Sequence, residues 1–276
     1  MTTPRVPRSV DGEPYTDDGL LVSMGVYEGV SYVNKFGTNH DVGTDYEDVW
    51  EQGDKWVPMP VATLVECAST SAEDSPAGDG AGSLVIQGLG ADGLEIQDVV
   101  LLNGTTPVLS NLIFSFINRA FIYSVGATNT TGYNLGILYV ADDSTTWGGT
   151  TAGVPDTAAA IQVHIAAEQG QTQQMIYTVP FDKTGYVTGG YIAADGSKVC
   201  SYIFYMTTRD TPADGIGVQR VAFEATVTGG SFIKAFHPYV QVPAGSSAHV
   251  EAKVDVGSAS VSAGLDIVLI ANERKW

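Results

Sequence analysis

The chain has 276 residues, with 13 Lys or Arg against 31 Asp or Glu, which gives a formal net charge of −18. Apolar residues make up 44% of the chain, enough to bury a substantial core, so disorder over the whole length is excluded. A chain this acidic lacks the basic face that nucleic acid requires, and its sign disfavours adsorption to an anionic bilayer. We therefore expect neither nucleic acid nor a membrane as a partner.

The first part of the chain, residues 1–60, is predicted to be an extended acidic N-terminal arm. Prolines at positions 4, 7 and 14 exclude a regular helix or a central strand at its start. Apolar residues near helical spacing in 42–50 predict at most one or two helical turns there. The acidity of this region fits either a solvated surface or a docking surface for a basic partner.

A small β unit is predicted over residues 61–125. Two β-rich runs, 83–87 and 95–101, flank the segment Gly88-Leu-Gly-Ala-Asp-Gly93, whose Asp-Gly pair is typical of a tight hairpin. The same segment matches G-x-G-x-x-G. A dinucleotide site needs a helix after the third glycine, however, and a β-rich run follows instead.

Residues 126–276 are predicted to form a larger β-sandwich of the jelly-roll type. Short β-rich runs recur here at intervals of about ten residues, separated by turn residues such as Gly229-Gly230. The predicted fold is therefore all-β: an antiparallel β-sandwich or jelly roll with a smaller N-terminal β unit and an extended N-terminal arm. The strands of 61–125 are free to pair into the same sheets, so this boundary is soft.

The sequence offers no recognisable catalytic or cofactor motif. It contains neither a G-x-x-x-x-G-K-[ST] phosphate loop nor a G-x-S-x-G nucleophile turn, and none of the four histidines lies in an H-E-x-x-H pattern. We expect no catalytic residue, no cofactor, no metal and no enzyme activity. His164 is expected to point outward from a strand, and Cys67 and Cys200 are expected to be buried free thiols.

Three alternatives stay open on the residues alone. The acids of 41–54 are oxygen-rich and could hold Ca²⁺, although they lack the EF-hand frame. Trp147, in a loop, could stack on a sugar together with Tyr133, or it could anchor a neighbouring subunit or pack on its own core. A pair among the 31 acids could hydrolyse a glycosidic bond, but the sequence does not single out a pair.

Several stretches of the chain resemble a group of tailed-phage virion proteins that are common among marine and cyanobacterial phages. The stretches are 42–53, 69–74, 86–89, 98–105, 117–121, 170–172, 176–180, 183–186 and 263–269. They include VGTDYEDVWEQG at 42–53 and AGLDIVL at 263–269, and with gaps they cover roughly 40–270. Because these motifs are turns and strands, the resemblance implies a class of building block and no particular activity.

The resemblance implies a non-enzymatic virion structural protein, assembled in the host cytoplasm and carried in the virion. Its most specific form is a capsid decoration (cement) subunit, a homo-oligomer for which a trimer is a reasonable stoichiometry, bound to the major capsid protein or to other virion subunits. A neck, tail or fibre component is the first alternative, and a carbohydrate-binding adhesin for host attachment is the second. The residues expected at interfaces are Arg5, Arg8, Tyr15, Asp45, Glu47, Asp48, Trp50, Trp56 and Trp147.

Overall fold

Antiparallel strands make up almost all of the regular structure in a computed structural model that describes residues 18–209 and 217–272. The strands are β1 (Val30–Val42), β2 (Glu47–Asp48), β3 (Val65–Ser69), β4 (Ala81–Leu89), β5 (Glu95–Leu101), β6 (Val108–Leu109), β7 (Phe116–Val125), β8 (Leu138–Asp142), β9 (Ile161–Ile165), β10 (Ile176–Thr178), β11 (Lys183–Thr208), β12 (Val218–Val242), β13 (Ser247–Val254) and β14 (Ala259–Ala271). They form two β-sandwiches, which confirms the predicted fold class. Arg5, Arg8 and Tyr15, three of the expected interface residues, lie outside the described residues.

The helical elements are short. They are the α-helix α1 (Asp18–Ser23) and a 3-10 turn at Ala158–Ala160. Within the described ranges, neither element has the length and hydropathy that a membrane-crossing helix needs.

The first sandwich consists of strands β3 to β9. One of its sheets has the strand order β6–β3–β8–β9 and the other β5–β4–β7, with antiparallel pairing throughout. Large side chains from both sheets, including Leu84, Ile117 and Leu138, are fully buried in the core between them. Each such side chain contributes about 1.5–3 kcal/mol when it leaves water, so this core stabilises the face-to-face packing.

The β4–β5 hairpin turns at Asp92-Gly93, as predicted. Leu89 pairs with Glu95, Gly93 has a φ of +75°, and its N–H donates to the carbonyl of Gly90 at 2.9 Å. Strand β5 follows the third glycine directly, so the segment is a hairpin and lacks the helix of a dinucleotide site.

The second sandwich is discontinuous in sequence, because β1 and β2 join β10 to β14. The strand order is β1–β14–β11–β13–β10, with β12 paired to β11 and β2 paired to β13. Strand β1 forms a long ladder with β14, from Val30 opposite Ile270 to Val42 opposite Ala259. The first sandwich is therefore an insertion, and its two ends meet where the N–H of Met175 donates to the carbonyl of Val49 at 2.9 Å.

The long strands of the second sandwich fold back on themselves. The rings of Phe223 and Phe232, both on β12, have centroids 6.1 Å apart. Nine residues of straight strand would separate them by about 30 Å. The chain bends at Gly229-Gly230, which have positive φ angles of +59° and +74°. In the same way, the hydroxyl of Tyr202 donates to the carbonyl of Ala193 at 2.6 Å across the bend in β11.

This arrangement corrects three expectations. Residues 30–42 are a strand of the second sandwich, paired with β14, and so no part of a free arm. The segment 42–50 contains the end of β1 and the short β2 in place of helical turns. The predicted division after residue 125 falls inside the first sandwich, since β8 and β9 join β3 in one sheet.

His164 points outward from its strand, as predicted. Its neighbours Val163 and Ile165 lie in the core of the first sandwich, whereas His164 packs against Tyr139 on the outer face. Glu51 covers it there, with Oε2 3.8 Å from Nδ1.

Phe181 and Asn118 join the two sandwiches. Phe181 lies against two glycines, Gly93 in the first sandwich and Gly245 in the second, and its N–H donates to the carbonyl of Gly93 at 3.0 Å. The side-chain amide of Asn118 donates to the carbonyl of Thr178 at 2.9 Å and accepts the N–H of Thr178 at 2.8 Å. These contacts fix the relative position of the sandwiches and shape the cleft between them.

Candidate functional site

Most of the expected interface residues in the described ranges face the inside of the chain. Asp45 is exposed and stays a candidate for contact with a partner. Glu47 instead stabilises its own loop, accepting the N–H of Gly43 at 2.9 Å and the amide of Asn39 at 3.1 Å. Asp48 is only 3% exposed, so its assignment to a surface between subunits is corrected.

The three tryptophans expected at interfaces pack within the chain. Trp50 is buried in a cluster with Tyr139 and Ile161 of the first sandwich, and Trp56 and Trp147 pack against the same cluster. The indole N–H of Trp147 donates to Glu66 Oε2 at 2.6 Å. The cluster thus ties the segment after β2 to the first sandwich, which corrects the expectation that Trp50 meets another subunit.

Strand β12 has an unpaired edge that is open to a partner. It pairs with β11 on one side and has no second strand partner among the described residues. Free backbone N–H and C=O groups along such an edge are a template for another strand. The strand also exposes large apolar side chains, which are Val218, Val221, Phe232, Ile233 and Tyr239. We call this surface the β12 edge.

The charge of the β12 edge differs from that of the chain as a whole. Arg220 and Lys234 stand against Glu224 on this strand, whereas the whole chain carries −18. Two copies that approach each other along β12 therefore avoid much of the repulsion that other faces would produce. On the inner side of the strand, the rings of Phe223 and Phe236 pack edge to face with centroids 5.8 Å apart, and both contribute to the core of the second sandwich.

A cleft of about 640 Å³ separates the two sandwiches. Strand β1 forms one wall, and β4, β5 and β7 form the other. Lys35 of β1 is buried in this cleft and donates from Nζ to the carbonyl of Asn118 on β7. Burial, and next the charge of Arg119, lower the pKa of Lys35 to about 7. The cleft thus holds an amine whose charge is costly, and Arg119 beside it donates to Gln171 at 2.6 Å.

Two carboxylates and an imidazole converge on strands β2 and β13, across β11 from the start of β12. Asp48 of β2 lies opposite Glu251 of β13 in the ladder, and His249 lies two residues before Glu251 on the same strand. His249 Nε2 is 4.0 Å from Asp48 Oδ1 and 3.8 Å from Glu251 Oε1. One ligand atom from each of the three lies within 4.8 Å of the others, and all three residues are buried. We call them the β2–β13 cluster.

The electrostatics of the β2–β13 cluster follow from burial and from Lys55. Burial raises the pKa of Asp48 to about 6 against the opposing effects of His249 and the Trp56 N–H. Burial also acts to raise the pKa of Glu251, but His249 and Lys55 outweigh it, and that pKa is lowered. Lys55 Nζ lies 3.0 Å from Glu251 Oε2.

The sequence interpretation missed His249 and Glu251. Both stand on one β-rich run as His-x-Glu, and side chains two apart on a strand share a face, so the spacing itself was the available signal. The Ca²⁺ alternative had selected the acids of 41–54, and within the described ranges only Asp48 among them joins a group of three possible metal ligands.

No family model and no curated protein matches the chain. Among solved structures, "Structure of infectious bursal disease virus Gt strain" is 12% identical over 88% of this chain and 73% of that chain, with a TM-score of 0.24. "Crystal Structure of the STIV MCP" is 8% identical over 85% of this chain and 96% of that chain, with a TM-score of 0.22. A vicilin from Solanum melongena is 10% identical over 89% of this chain and 75% of that chain, with a TM-score of 0.13. TM-scores this low carry no conclusion about the present chain.

Proposed function

We propose that the chain is a virion structural protein that acts through the surfaces it buries against other subunits. The observation that carries this proposal is the β12 edge, a strand edge with no partner among the described residues on a strand that exposes five large apolar side chains. Exposed apolar surface next to free backbone groups is typical of an interface that forms on assembly. The resemblance of 40–270 to tailed-phage virion proteins supports the same conclusion from the sequence side.

Within that class, we propose a capsid decoration subunit that forms a homo-oligomer and clamps the major capsid protein. Strand β12 of one copy would pair with β12 of a second copy, which places the same surface on both sides of a closed contact. The exposed carboxylate of Asp45 would lie against basic groups of the capsid, where charge complementarity sets the specificity of docking.

Purified virions provide the test. Quantitative mass spectrometry should find the chain in hundreds of copies per particle, as expected for a subunit repeated with the symmetry of a capsid. Particles made without the chain should assemble but lose heat tolerance, and adding the wild-type protein should restore it. Absence of the chain from purified particles would overturn the proposal, and unchanged heat tolerance would overturn the decoration role.

Copy number also separates decoration from the neck, tail or fibre alternative, which predicts about a dozen copies or fewer. The adhesin alternative gains no support from the site. The indole N–H of Trp147 is occupied by Glu66, and its ring packs on the cluster around Trp50, so the residue offers little free surface for stacking on a sugar.

A further inference from the structure

The β2–β13 cluster brings together groups that belong to distant parts of the chain. Asp48 precedes the first sandwich, whereas His249 and Glu251 follow it. The ladder places Glu251 directly opposite Asp48, and the period of two in β13 turns His249 to the same face. The backbone of two paired strands therefore holds all three side chains in place.

One oxygen in this cluster lacks a partner. Asp48 Oδ2 accepts the N–H of Trp56 at 2.9 Å, but Asp48 Oδ1 is buried and has no hydrogen-bond partner among the described residues. A buried carboxylate oxygen without a donor is costly, and such groups call for a ligand or an ion. Oδ1 is also the Asp48 oxygen that lies 4.0 Å from His249 Nε2.

We propose that Asp48 Oδ1, His249 Nε2 and Glu251 Oε1 bind one divalent transition-metal ion, of which Zn²⁺ and Mn²⁺ fit the donor set best. An imidazole nitrogen with two carboxylate oxygens is a mixed set that suits these ions better than Ca²⁺, which takes six to eight oxygens.

The donor atoms lie close enough for a small closure to bring them onto one ion. Metal bonds of about 2.0–2.2 Å at tetrahedral angles place two donors about 3.3–3.6 Å apart. His249 Nε2 is 4.0 Å and 3.8 Å from the two carboxylates, so these side chains would move together by about 0.5 Å when an ion binds.

Two neighbours shape the site further. Lys55 Nζ lies 3.0 Å from Glu251 Oε2 and 3.2 Å from Oε1, and its side chain is 59% exposed. It can therefore stay hydrogen-bonded to Oε2 while Oε1 becomes free to bind the ion. The side-chain amide of Gln219 on β12 lies 3.2 Å from His249 Nε2. A half-turn of this amide exchanges its nitrogen for its oxygen, which would supply a fourth donor, and a water molecule could serve equally.

An ion at this position would bind the native fold alone. Its ligands are about 200 residues apart along the chain and meet only when β2 has paired with β13. Binding of that kind stabilises the folded state by an amount that grows with the logarithm of the free ion concentration above the Kd. It would also fix the segment that carries Trp50 and Trp56 to strand β13 of the second sandwich.

The test uses the full chain, stripped with a chelator and titrated calorimetrically with Zn²⁺ or Mn²⁺ alone. We expect saturable binding of one ion per chain and a rise of the melting temperature. Asp48→Asn and His249→Gln should each weaken binding at least tenfold, while Asp45→Asn, an exposed carboxylate three residues away, should bind like the wild type. Lys55→Met should bind about threefold more tightly, because the competing ammonium is removed.

Cobalt provides a spectroscopic readout that does not depend on stability. Co²⁺ bound by the wild type should show visible absorption bands that His249→Gln abolishes and Zn²⁺ displaces. Denaturation curves of each variant without metal confirm that it folds. No saturable binding by the wild type, or equal loss in Asp45→Asn and Asp48→Asn, would overturn the site. A virion assay is not part of this test, so its failure leaves the proposed structural role intact.

Discussion

Gly93 at the tip of the β4–β5 hairpin and Gly230 at a corner of the second sandwich share one backbone requirement. Their φ angles are +75° and +74°. A Cβ on Gly93 would come within 2.3 Å of Phe181 Cδ2, whereas a Cβ on Gly230 would meet nothing within 4 Å. Replacing each in turn therefore separates the cost of backbone conformation from the cost of crowding between the sandwiches.

We expect Gly93→Asn to lower the free energy of unfolding by about 1–3 kcal/mol, because asparagine tolerates positive φ but overpacks against Phe181. Gly230→Asn should lower it by less than about 1 kcal/mol. Urea denaturation of both variants measures the difference. If crowding against Phe181 causes the loss, adding Phe181→Ala to Gly93→Asn should recover part of the lost free energy of unfolding. No recovery in the double variant would contradict the packing argument.

For single residues, the sequence predicts local turn structure but does not predict which distant residues come together in the fold. The turn at Asp92-Gly93 follows from the preferences of those two residues, so it was predictable. The contact of Gly93 with Phe181 is set by how the two sandwiches pack, which no local pattern records. The same holds for Asp48 and His249, since a His-x-Glu spacing marks a shared face but does not say which strand will lie opposite.

Within the described ranges, strand β12 combines an unpaired edge with exposed apolar side chains, which is unusual in a folded protein. Both halves of β12, on either side of the bend at Gly229-Gly230, leave one edge unpaired among the described residues. Natural proteins usually protect such edges with charges, proline, bulges or a covering element, and Arg220, Lys234 and Pro238 on β12 are residues of that kind. Here Ile233 is 79% exposed at the middle of the strand. Pairing with a second copy would cover both the apolar side chains and the free backbone groups.

Ile233→Lys is expected to weaken self-association at least tenfold, because the lysine would place an ammonium group in the strand pairing. The free energy of unfolding should change by less than about 0.5 kcal/mol, since the side chain is mostly exposed. Sedimentation velocity over a range of concentrations measures the association. Val61→Lys, at an exposed valine just before the first strand of the first sandwich, is the matched control.

A wild-type chain that stays monomeric at every concentration would contradict the pairing of copies through β12. Equal weakening by Ile233→Lys and Val61→Lys would show that added charge acts in general and that the β12 edge has no special part.

Most strands were predictable because their alternation and turn residues are local. The sequence predicts short strands about ten residues apart in this part of the chain, whereas the structure has one long strand over 183–208, β11, which bends between Ala194 and Val199. The fold-back could not be predicted, because it depends on aromatic rings such as Phe223 and Phe232 meeting across the two layers.

The two sandwiches are linked by a buried amine. Lys35 of the second sandwich donates to the carbonyl of Asn118 in the first, and its pKa is lowered from 10.5 to about 7 by burial and by Arg119. Between about pH 7 and pH 10 the unfolded chain therefore binds more protons at Lys35 than the folded chain does. The free energy of unfolding therefore rises as the pH rises through that window. Below about pH 7 the folded chain bears the full cost of burying a charged Lys35 ammonium.

Lys35→Met is expected to remove this dependence. The stability of the variant relative to the wild type should fall by roughly 2–4 kcal/mol between pH 6 and pH 10, because only the wild type gains there. Urea denaturation at pH 6, 8 and 10 measures the difference. Lys198→Met, outside the cleft, should show the same pH dependence of the free energy of unfolding as the wild type. The same pH dependence in Lys35→Met would contradict the lowered pKa of Lys35.

The division into structural units was the least predictable feature at the scale of the whole molecule. The sequence shows where strands begin and end, but the second sandwich takes strands from both sides of the first. Val30 pairs with Ile270, so a boundary drawn along the chain cannot separate the two units. The spacing of β-rich runs and turn residues predicted the fold class correctly, because that spacing does not depend on the order in which the strands pair.

The inserted position of the first sandwich has a consequence for synthesis on the ribosome. Strand β1 emerges early but finds its partner, β14, more than 200 residues later. At roughly 5–20 residues per second, that interval lasts on the order of 10–50 s. The first sandwich can fold during this time, while β1 is still without its strand partner. Nascent chains of this protein should therefore depend on protection by chaperones until β14 has left the exit tunnel.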